Sequence, residues 1–167
     1  MLMRGGTSKG AYFLAYDLPS NVAERDDLLL RIMGSPDDRQ IDGLGGAHLL
    51  TSKVAIVSKS SRPDADIEFL FAQVSVNTAL VDTTPNCGNI LAGVGPFTLE
   101  RGLCKASDPI TRVRVRTLNT GTLAELVLTT PGGDMTYDGH ESIDGVPGTA
   151  AASLLHTEMS SGTSIHR

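Results

Sequence analysis

The segment from Gly88 to Gly102 constrains the fold of this chain more than any other. Its apolar side chains do not follow one stripe of the helix that the segment predicts, and Gly93 and Gly95 inside it have no side chains. These apolar side chains are Ile90, Leu91, Val94, Phe97 and Leu99. A helix that is apolar all round is usually enclosed by other elements. Pro96 predicts a kink or a short irregular turn inside it.

Most other periodic segments predict strands. We expect strands at residues 11–16, 51–59, 67–76, 111–118 and 122–130. Asn119-Thr120-Gly121 is typical of a hairpin turn between the last two. One helix among many strands indicates an α+β fold, in which a mixed β-sheet or barrel wraps round the central helix.

Two further segments have clear signals. Three arginines at positions 112, 114 and 116 alternate with Val113 and Val115, so we expect a strand with one solvated face rather than an anion site. A second helix is predicted to begin after Ser20 or Asn21 and to end at Gly34, followed by a loop over residues 35–46.

Composition narrows the class of protein. The chain has 167 residues, of which 40% are hydrophobic and 20% are charged, which favours one soluble globular core. Its formal net charge is −5 and it has no basic run, so nucleic acid and anionic membrane surfaces are poor candidates as partners. The sequence contains no apolar stretch of the roughly 20 residues that a membrane span needs and no signal-peptide core. We therefore expect a cytoplasmic protein.

Cys87 lies in a setting that favours reactivity. It stands in Pro85-Asn86-Cys87-Gly88-Asn89, directly before the enclosed helix, so its sulfur should lie at the first helical turn. Free backbone N–H groups and the helix dipole favour a thiolate there. A reducing compartment favours two free thiols, at Cys87 and Cys104, over a disulfide.

Lys53 is the second candidate for chemistry. It lies at the start of a β-branched stretch, Lys53-Val54-Ala55-Ile56-Val57, which follows the glycine-rich Gly43-Leu44-Gly45-Gly46. A lysine on a mostly buried strand loses part of its hydration and can act as a base. Without further information, a lysine in a strand is more often an exposed charge, and Cys104 is more often a small core residue.

Three motifs together resemble the PrpF family, which includes 2-methylaconitate cis-trans isomerases and 4-oxalomesaconate tautomerases. The motifs are Met3-Arg4-Gly5-Gly6-Thr7-Ser8-Lys9-Gly10, Gly45-Gly46 with Thr51-Ser52-Lys53, and Pro85-Asn86-Cys87-Gly88-Asn89. The resemblance runs from about residue 3 to about residue 150. It implies the diaminopimelate-epimerase-like fold, in which two similar domains each wrap a sheet round a helix and share a cleft.

The resemblance also implies functional residues. Lys53 matches the catalytic lysine of the family and Cys87 matches its active-site cysteine. The residues that it implies for substrate binding are Arg4, Gly5, Gly6, Thr7, Ser8, Ser52, Asn86, Gly88 and Asn89. Gly5-Gly6 could also form only a tight turn.

The chain departs from the family pattern at its end. Only an N-terminal domain, residues 1–150, is expected, with residues 151–167 as a divergent, flexible tail whose polar run 160–164 should fray. Half of the expected cleft would then be missing. A homodimer could replace the second domain, whereas a monomer would leave Lys53 in open solvent.

The leading hypothesis is an isomerase or tautomerase that shifts a double bond or proton in a small unsaturated polycarboxylate of the methylaconitate or oxalomesaconate type. Lysine and cysteine would share acid–base roles, without a cofactor or metal. Asp37, Asp38 and Asp42 with His48 do not have the spacing of metal ligands. The alternative is a truncated, catalytically inactive half that binds a small molecule or self-associates.

Overall fold

The computed structural model describes residues 1–159 and 162–166, and one mixed sheet runs through them. Its strands are β1 (Leu2–Gly5), β2 (Ser8–Leu14), β3 (Lys53–Lys59), β4 (Ile67–Val74), β5 (Val81–Asp82), β6 (Ile110–Thr117), β7 (Leu123–Thr129), β8 (Ser153–Met159) and β9 (Gly162–His166). The α-helices are α1 (Val22–Met33) and α2 (Gly88–Glu100). Short 3-10 turns span Ala15–Asp17 and Pro131–Gly133.

The sheet curls around α2. Its strand order is β1-β2-β3-β4-β6-β7-β8-β9, and β5 pairs with β4 beside this path. The β2–β3 and β4–β6 pairs are parallel and the other pairs are antiparallel. The strand at one end of this order, β1, and the strand next to the other end, β8, both contact α2. The α+β class with a sheet wrapped round a central helix is therefore confirmed.

The main core fills the space between α2 and the inner face of the sheet. Its largest fully buried side chains include Tyr12, Phe69, Phe71, Phe97 and Leu126. Burial of each such side chain contributes roughly 1.5–3 kcal/mol. Ile90, Leu91, Val94 and Phe97 of α2 are buried and Leu99 is partly buried, so the prediction of an enclosed helix is confirmed.

The helix α2 runs through Pro96 without the predicted irregular turn. Proline has no backbone N–H, so the carbonyl of Ala92, four residues earlier, loses its usual helical partner. The hydroxyl of Ser153, in β8, donates a hydrogen bond to this carbonyl at 3.4 Å. Enclosure by the sheet thus supplies a partner that the helix itself lacks.

The helix α1 covers the outer face of the sheet, and its predicted ends are confirmed. Asn21 caps it, because its side chain accepts a hydrogen bond from the backbone N–H of Glu24 at 3.1 Å. Gly34 ends it in the left-handed conformation, at φ 78°. Leu29 and Met33 are fully buried in a second core on this face.

The hairpin of β6 and β7 has the predicted solvated face. Val113 and Val115 are buried, whereas Arg112 and Arg114 are exposed. Arg112 forms an ion pair with Glu125 across the hairpin at 2.6 Å, and Arg114 forms one with Asp66 at 2.9 Å. These arginines serve surface ion pairs, as expected for a strand with one wet face.

Both ends of the chain contain strands that the sequence did not predict. At the start, β1 was not expected; it pairs with β2, which covers most of the strand expected at residues 11–16, and Gly6 and Thr7 form the two-residue turn between them. The segment predicted as a tail contains β8 and β9, and Leu155 in β8 packs against the main core. Residues 160, 161 and 167 lie outside the described part of the chain, and the fraying predicted for residues 160–164 falls partly on them. The domain boundary at residue 150 stays a prediction.

Within the described part of the chain, no helix combines the length and the apolar character required to cross a membrane.

Candidate active site

Lys53 lies on the inner face of the sheet, at the first residue of β3. In the register of the sheet its neighbours are Gly10 in β2 and Gln73 in β4. A β-carbon on Gly10 would lie 3.1 Å from Cδ1 of Ile90, so the glycine lets α2 pack closely beside the lysine. Only 8% of the Lys53 surface is exposed. The side chain is therefore directed toward the helix rather than into solvent.

Three groups surround the amine of Lys53. Its Nζ donates a hydrogen bond to Oε1 of Gln73 at 2.9 Å and lies 3.7 Å from Sγ of Cys87. The ring of Phe71 lies beneath it, with 5.0 Å between Nζ and the ring centroid. The expectation that a monomer leaves Lys53 in open solvent is therefore wrong, since these groups of its own chain cover the amine.

Cys87 precedes α2 as its N-cap residue, which confirms its predicted place at the start of a buried helix. Its backbone is extended, and its carbonyl accepts the first helical hydrogen bond, from Leu91 N–H at 2.9 Å. The backbone N–H of Cys87 donates to Oδ1 of Asn86 at 2.8 Å. The N–H groups of the first helical turn have no partner within the helix.

The glycine-rich hairpin turn meets the same helix end. Nδ2 of Asn89 donates a hydrogen bond to Oγ1 of Thr7 at 3.0 Å. A β-carbon on Gly5 would collide with the backbone oxygen of Asn89, and one on Gly6 would collide with its carboxamide. Gly6 also has a positive φ of 55°. Gly6 thus belongs to the tight turn, and both glycines allow close approach of the hairpin to α2.

Tyr12 contacts the same end of α2. Its hydroxyl donates a hydrogen bond to the carbonyl of Ile90 at 2.8 Å, and Gly93 leaves room for its ring. Burial raises the pKa of Tyr12 well above its ordinary value, and the neighbouring Cys87 adds to this effect. Tyr12 therefore stays a neutral hydrogen-bond donor and anchors the first turn of α2.

The other residues predicted to bind substrate differ from one another in exposure and contacts. Arg4 is exposed and its guanidinium donates to the carbonyl of Gly6 at 2.7 Å. The hydroxyl of Ser8 is buried and has no hydrogen-bond partner among the described residues. Gly88 lies against Leu155, which closes that side of the helix end. Their role in substrate binding stays a prediction.

Ser52 has structural contacts on the other face of the sheet. Its buried hydroxyl donates to the carbonyl of Val74 at 2.8 Å and accepts from Nε2 of Gln40 at 2.7 Å. Gln40 also accepts a hydrogen bond from Ala47 N–H at 3.0 Å, so it pins the long loop before β3. Direct contact between Ser52 and a substrate also stays a prediction.

Gln73 and Phe71 are site residues that sequence reasoning missed. Both lie on the inner face of β4, where Ile67, Phe69 and Phe71 are apolar and Gln73 is polar. A polar residue at the end of an inward-facing apolar series is a signal that could have found Gln73. Among the described residues, no group of three or more His, Cys, Asp or Glu side chains is arranged to hold a metal ion.

The three motifs of the sequence thus meet at one site, and comparison with known proteins assigns the family. The family described as PrpF protein matches residues 1–165. This chain belongs to the PrpF family. The PrpF match covers the opening hairpin, β3 with Lys53 and the start of α2 with Cys87.

Relatives of this PrpF chain include named isomerases. It is 62% identical to a (4E)-oxalomesaconate Delta-isomerase from Novosphingobium sp. (strain KA1), over 90% of this chain and 42% of that protein. It is 49% identical to a 3-methylitaconate isomerase from Eubacterium barkeri, over 97% of this chain and 43% of that protein. The PrpF chain therefore spans less than half the length of these relatives.

A solved structure has the same fold. The crystal structure of a methylitaconate-delta-isomerase matches with a TM-score of 0.90 and 50% sequence identity, over 93% of this chain and 40% of that one. This match confirms the fold class expected from the resemblance to the PrpF family.

Proposed function

We propose that this chain forms the part of an isomerase that carries its acid–base pair, and that it acts on small unsaturated polycarboxylates of the oxalomesaconate, methylaconitate or methylitaconate type. The observation that carries the proposal is the 3.7 Å separation between Nζ of Lys53 and Sγ of Cys87, beside a glycine-lined helix start. The names of the relatives support the substrate class.

The proposed reaction moves one proton and one double bond. The neutral amine of Lys53 removes a proton from the carbon next to the double bond, and the electron pair of that C–H bond becomes part of a delocalised carbanion. The double bond shifts, and the ammonium of Lys53 or the thiol of Cys87 returns a proton at a different carbon. The substrate gains and loses no electrons, so the proposed step needs no oxidant or reductant.

The start of α2 supports this chemistry by its charge distribution. The developing carbanion places negative charge on a neighbouring carboxylate. Unpaired N–H groups and the positive end of the dipole at Gly88 and Asn89 would stabilise this charge. Arg4 adds a positive charge close to the same turn. A local positive site of this kind can bind a polycarboxylate on a protein with a net charge of −5.

The test is proton NMR in deuterated buffer with 2-methylaconitate, 4-oxalomesaconate and 3-methylitaconate. We expect the chain to exchange or move a carbon-bound proton of one of them, and Lys53→Ala to slow this at least about 100-fold. Lys59→Ala is the matched control, because Lys59 is the exposed lysine at the other end of the same strand.

Unchanged exchange in the folded Lys53→Ala protein would contradict the proposed base. Substrate binding by the wild-type chain without any exchange would favour the binding-module alternative. Light scattering in the same buffer tests the further proposal that two copies complete the cleft, since a monomeric mass in an active sample would exclude it.

A further inference from the structure

We propose that Gln73 is a positioning residue for Lys53, which holds the amine in one orientation while providing it with no counter-ion. This inference rests on the proposed function, in which Lys53 is the base. No sequence motif singled out Gln73, and it becomes evident only from its contacts in the sheet.

The carboxamide of Gln73 can adopt only one orientation. Its Nε2 donates hydrogen bonds to the backbone carbonyls of Ser52 at 2.8 Å and of Leu49 at 3.2 Å. Carbonyl oxygens accept hydrogen bonds and cannot donate them, so the amide nitrogen must face both of them. Oε1 must then face Lys53, where it accepts a hydrogen bond from Nζ at 2.9 Å.

This fixed acceptor orients the amine. A neutral amine has two N–H groups and one lone pair, and a base must direct its lone pair at the proton that it removes. When Gln73 accepts one N–H, rotation about the last bond of the lysine is restricted. Phe71 blocks one side of the amine, and Cys87 lies on the helix side. These contacts with its own chain therefore restrict the directions in which the lone pair can point.

The side chain of Gln73 is an uncharged amide, and this also affects the charge of the Lys53 amine. The groups that face Nζ are Gln73 and Phe71 from β4 and Cys87, the N-cap residue of α2, while β2 contributes Gly10. Among the described residues no carboxylate forms an ion pair with Lys53. A carboxylate in place of the Gln73 amide would favour the ammonium form, which cannot act as a base.

The first experiment follows the ionisation of Lys53 directly, without substrate. The chain has four lysines, at positions 9, 53, 59 and 105, so 13Cε-lysine labelling gives few resonances, and Lys53→Arg assigns the one of interest. In Gln73→Glu we expect this resonance to titrate at a higher pH than in the wild-type chain, because the added carboxylate favours the ammonium form. Asn21→Asp is the control, because it adds the same charge on the outer face and still caps α1.

The second experiment measures kinetics. With Gln73→Glu, the pH at which proton exchange is half-maximal should rise by the same amount as the resonance. With Gln73→Met, which keeps the size but removes the acceptor, we expect kcat to fall about 10-fold with KM nearly unchanged, as for lost orientation of a base. This neutral variant decides the question if the added charge unfolds the protein.

Two results would overturn the inference: identical titration of Lys53 in wild type and folded Gln73→Glu, or an unchanged kcat in Gln73→Met. Failure of the proposed function looks different, because Lys53→Ala would then keep full exchange activity. The substrate-free titration still decides whether Gln73 controls the amine if the chain exchanges no proton of the substrates tested.

Discussion

The carboxamide of Asn89 lies where a β-carbon on Gly6 would have to be. Asn89 also forms a hydrogen bond with Thr7, which is 82 positions away in the sequence. These contacts hold the opening hairpin against the start of α2. The packing of the opening hairpin on α2 thus requires that residue 6 has no side chain.

Gly6→Ala should therefore destabilise the protein more than its backbone conformation alone explains. Gly102 is a matched control, since its φ of 66° is also positive but no atom lies within 4 Å of the added β-carbon. We expect Gly102→Ala to cost about 1–2 kcal/mol and Gly6→Ala to cost about 1–3 kcal/mol more, because of the collision with Asn89. Denaturant unfolding of the two variants measures the difference, and equal losses would show that the collision is relieved by movement of the hairpin.

The two thiols should react at different rates. Burial raises the pKa of Cys104, so its thiolate is scarce below its raised pKa and its alkylation should require more alkaline buffer. Cys87 stands at the start of α2 beside the amine of Lys53, a setting that favours attack by sulfur. We expect iodoacetamide at pH 8 to label Cys87 first, as measured by peptide mass spectrometry. Faster labelling of Cys104 would argue against an activated Cys87.

Asn119 should be important for stability although it lies in a hairpin turn. Its side chain accepts from Phe71 N–H at 2.8 Å and donates to the carbonyls of Phe71 at 2.9 Å and Thr83 at 2.7 Å. Asn119→Ala leaves these backbone groups unpaired, so we expect a loss of roughly 2–3 kcal/mol in denaturant unfolding. Thr120→Ala, in the same turn, should cost much less, and a similar loss in both would contradict a specific role for Asn119.

Acid should weaken the link between β6 and the loop before β4. Arg114 lowers the pKa of Asp66 through its guanidinium and its backbone N–H. A carboxylate with a lowered folded-state pKa stabilises the protein above its unfolded value of about 3.9, and this contribution disappears as the pH falls through the folded value.

Asp66→Asn should thus lower the free energy of unfolding by about 1 kcal/mol at pH 7, because the ion pair is partly exposed and Asp66 also accepts a hydrogen bond from the backbone N–H of Arg114. The difference from wild type should shrink below pH 4. Asp64→Asn is the control, because Asp64 is more exposed than Asp66 and its partner Arg62 is close to it in sequence. A difference for Asp66→Asn that is independent of pH would show that the ionised carboxylate is not responsible.

Local sequence signals predicted the elements well. The cap at Asn21, the end of α1 at Gly34 and the alternation around Val113 each depend on neighbouring residues, so they could be found without the fold. The strand at Leu2–Gly5 was missed because it is short and mostly exposed. The strands β8 and β9 were missed because the polar run near residue 160 suggested a tail, whereas β8 is supported by pairing with β7, and β9 by pairing with β8.

The sequence by itself determined the enclosed helix, the strand pattern around it and, through its motifs, the resemblance that singled out Lys53 and Cys87. Only the tertiary structure decided that Gln73 contacts the amine of Lys53, that Asn89 fills the space left by Gly6, and that Ser153 replaces the hydrogen bond lost at Pro96. The residues in these three contacts are 20, 83 and 61 positions apart in the sequence. Local propensity cannot specify them, because they arise only when sheet register and the curl of the sheet bring distant side chains together.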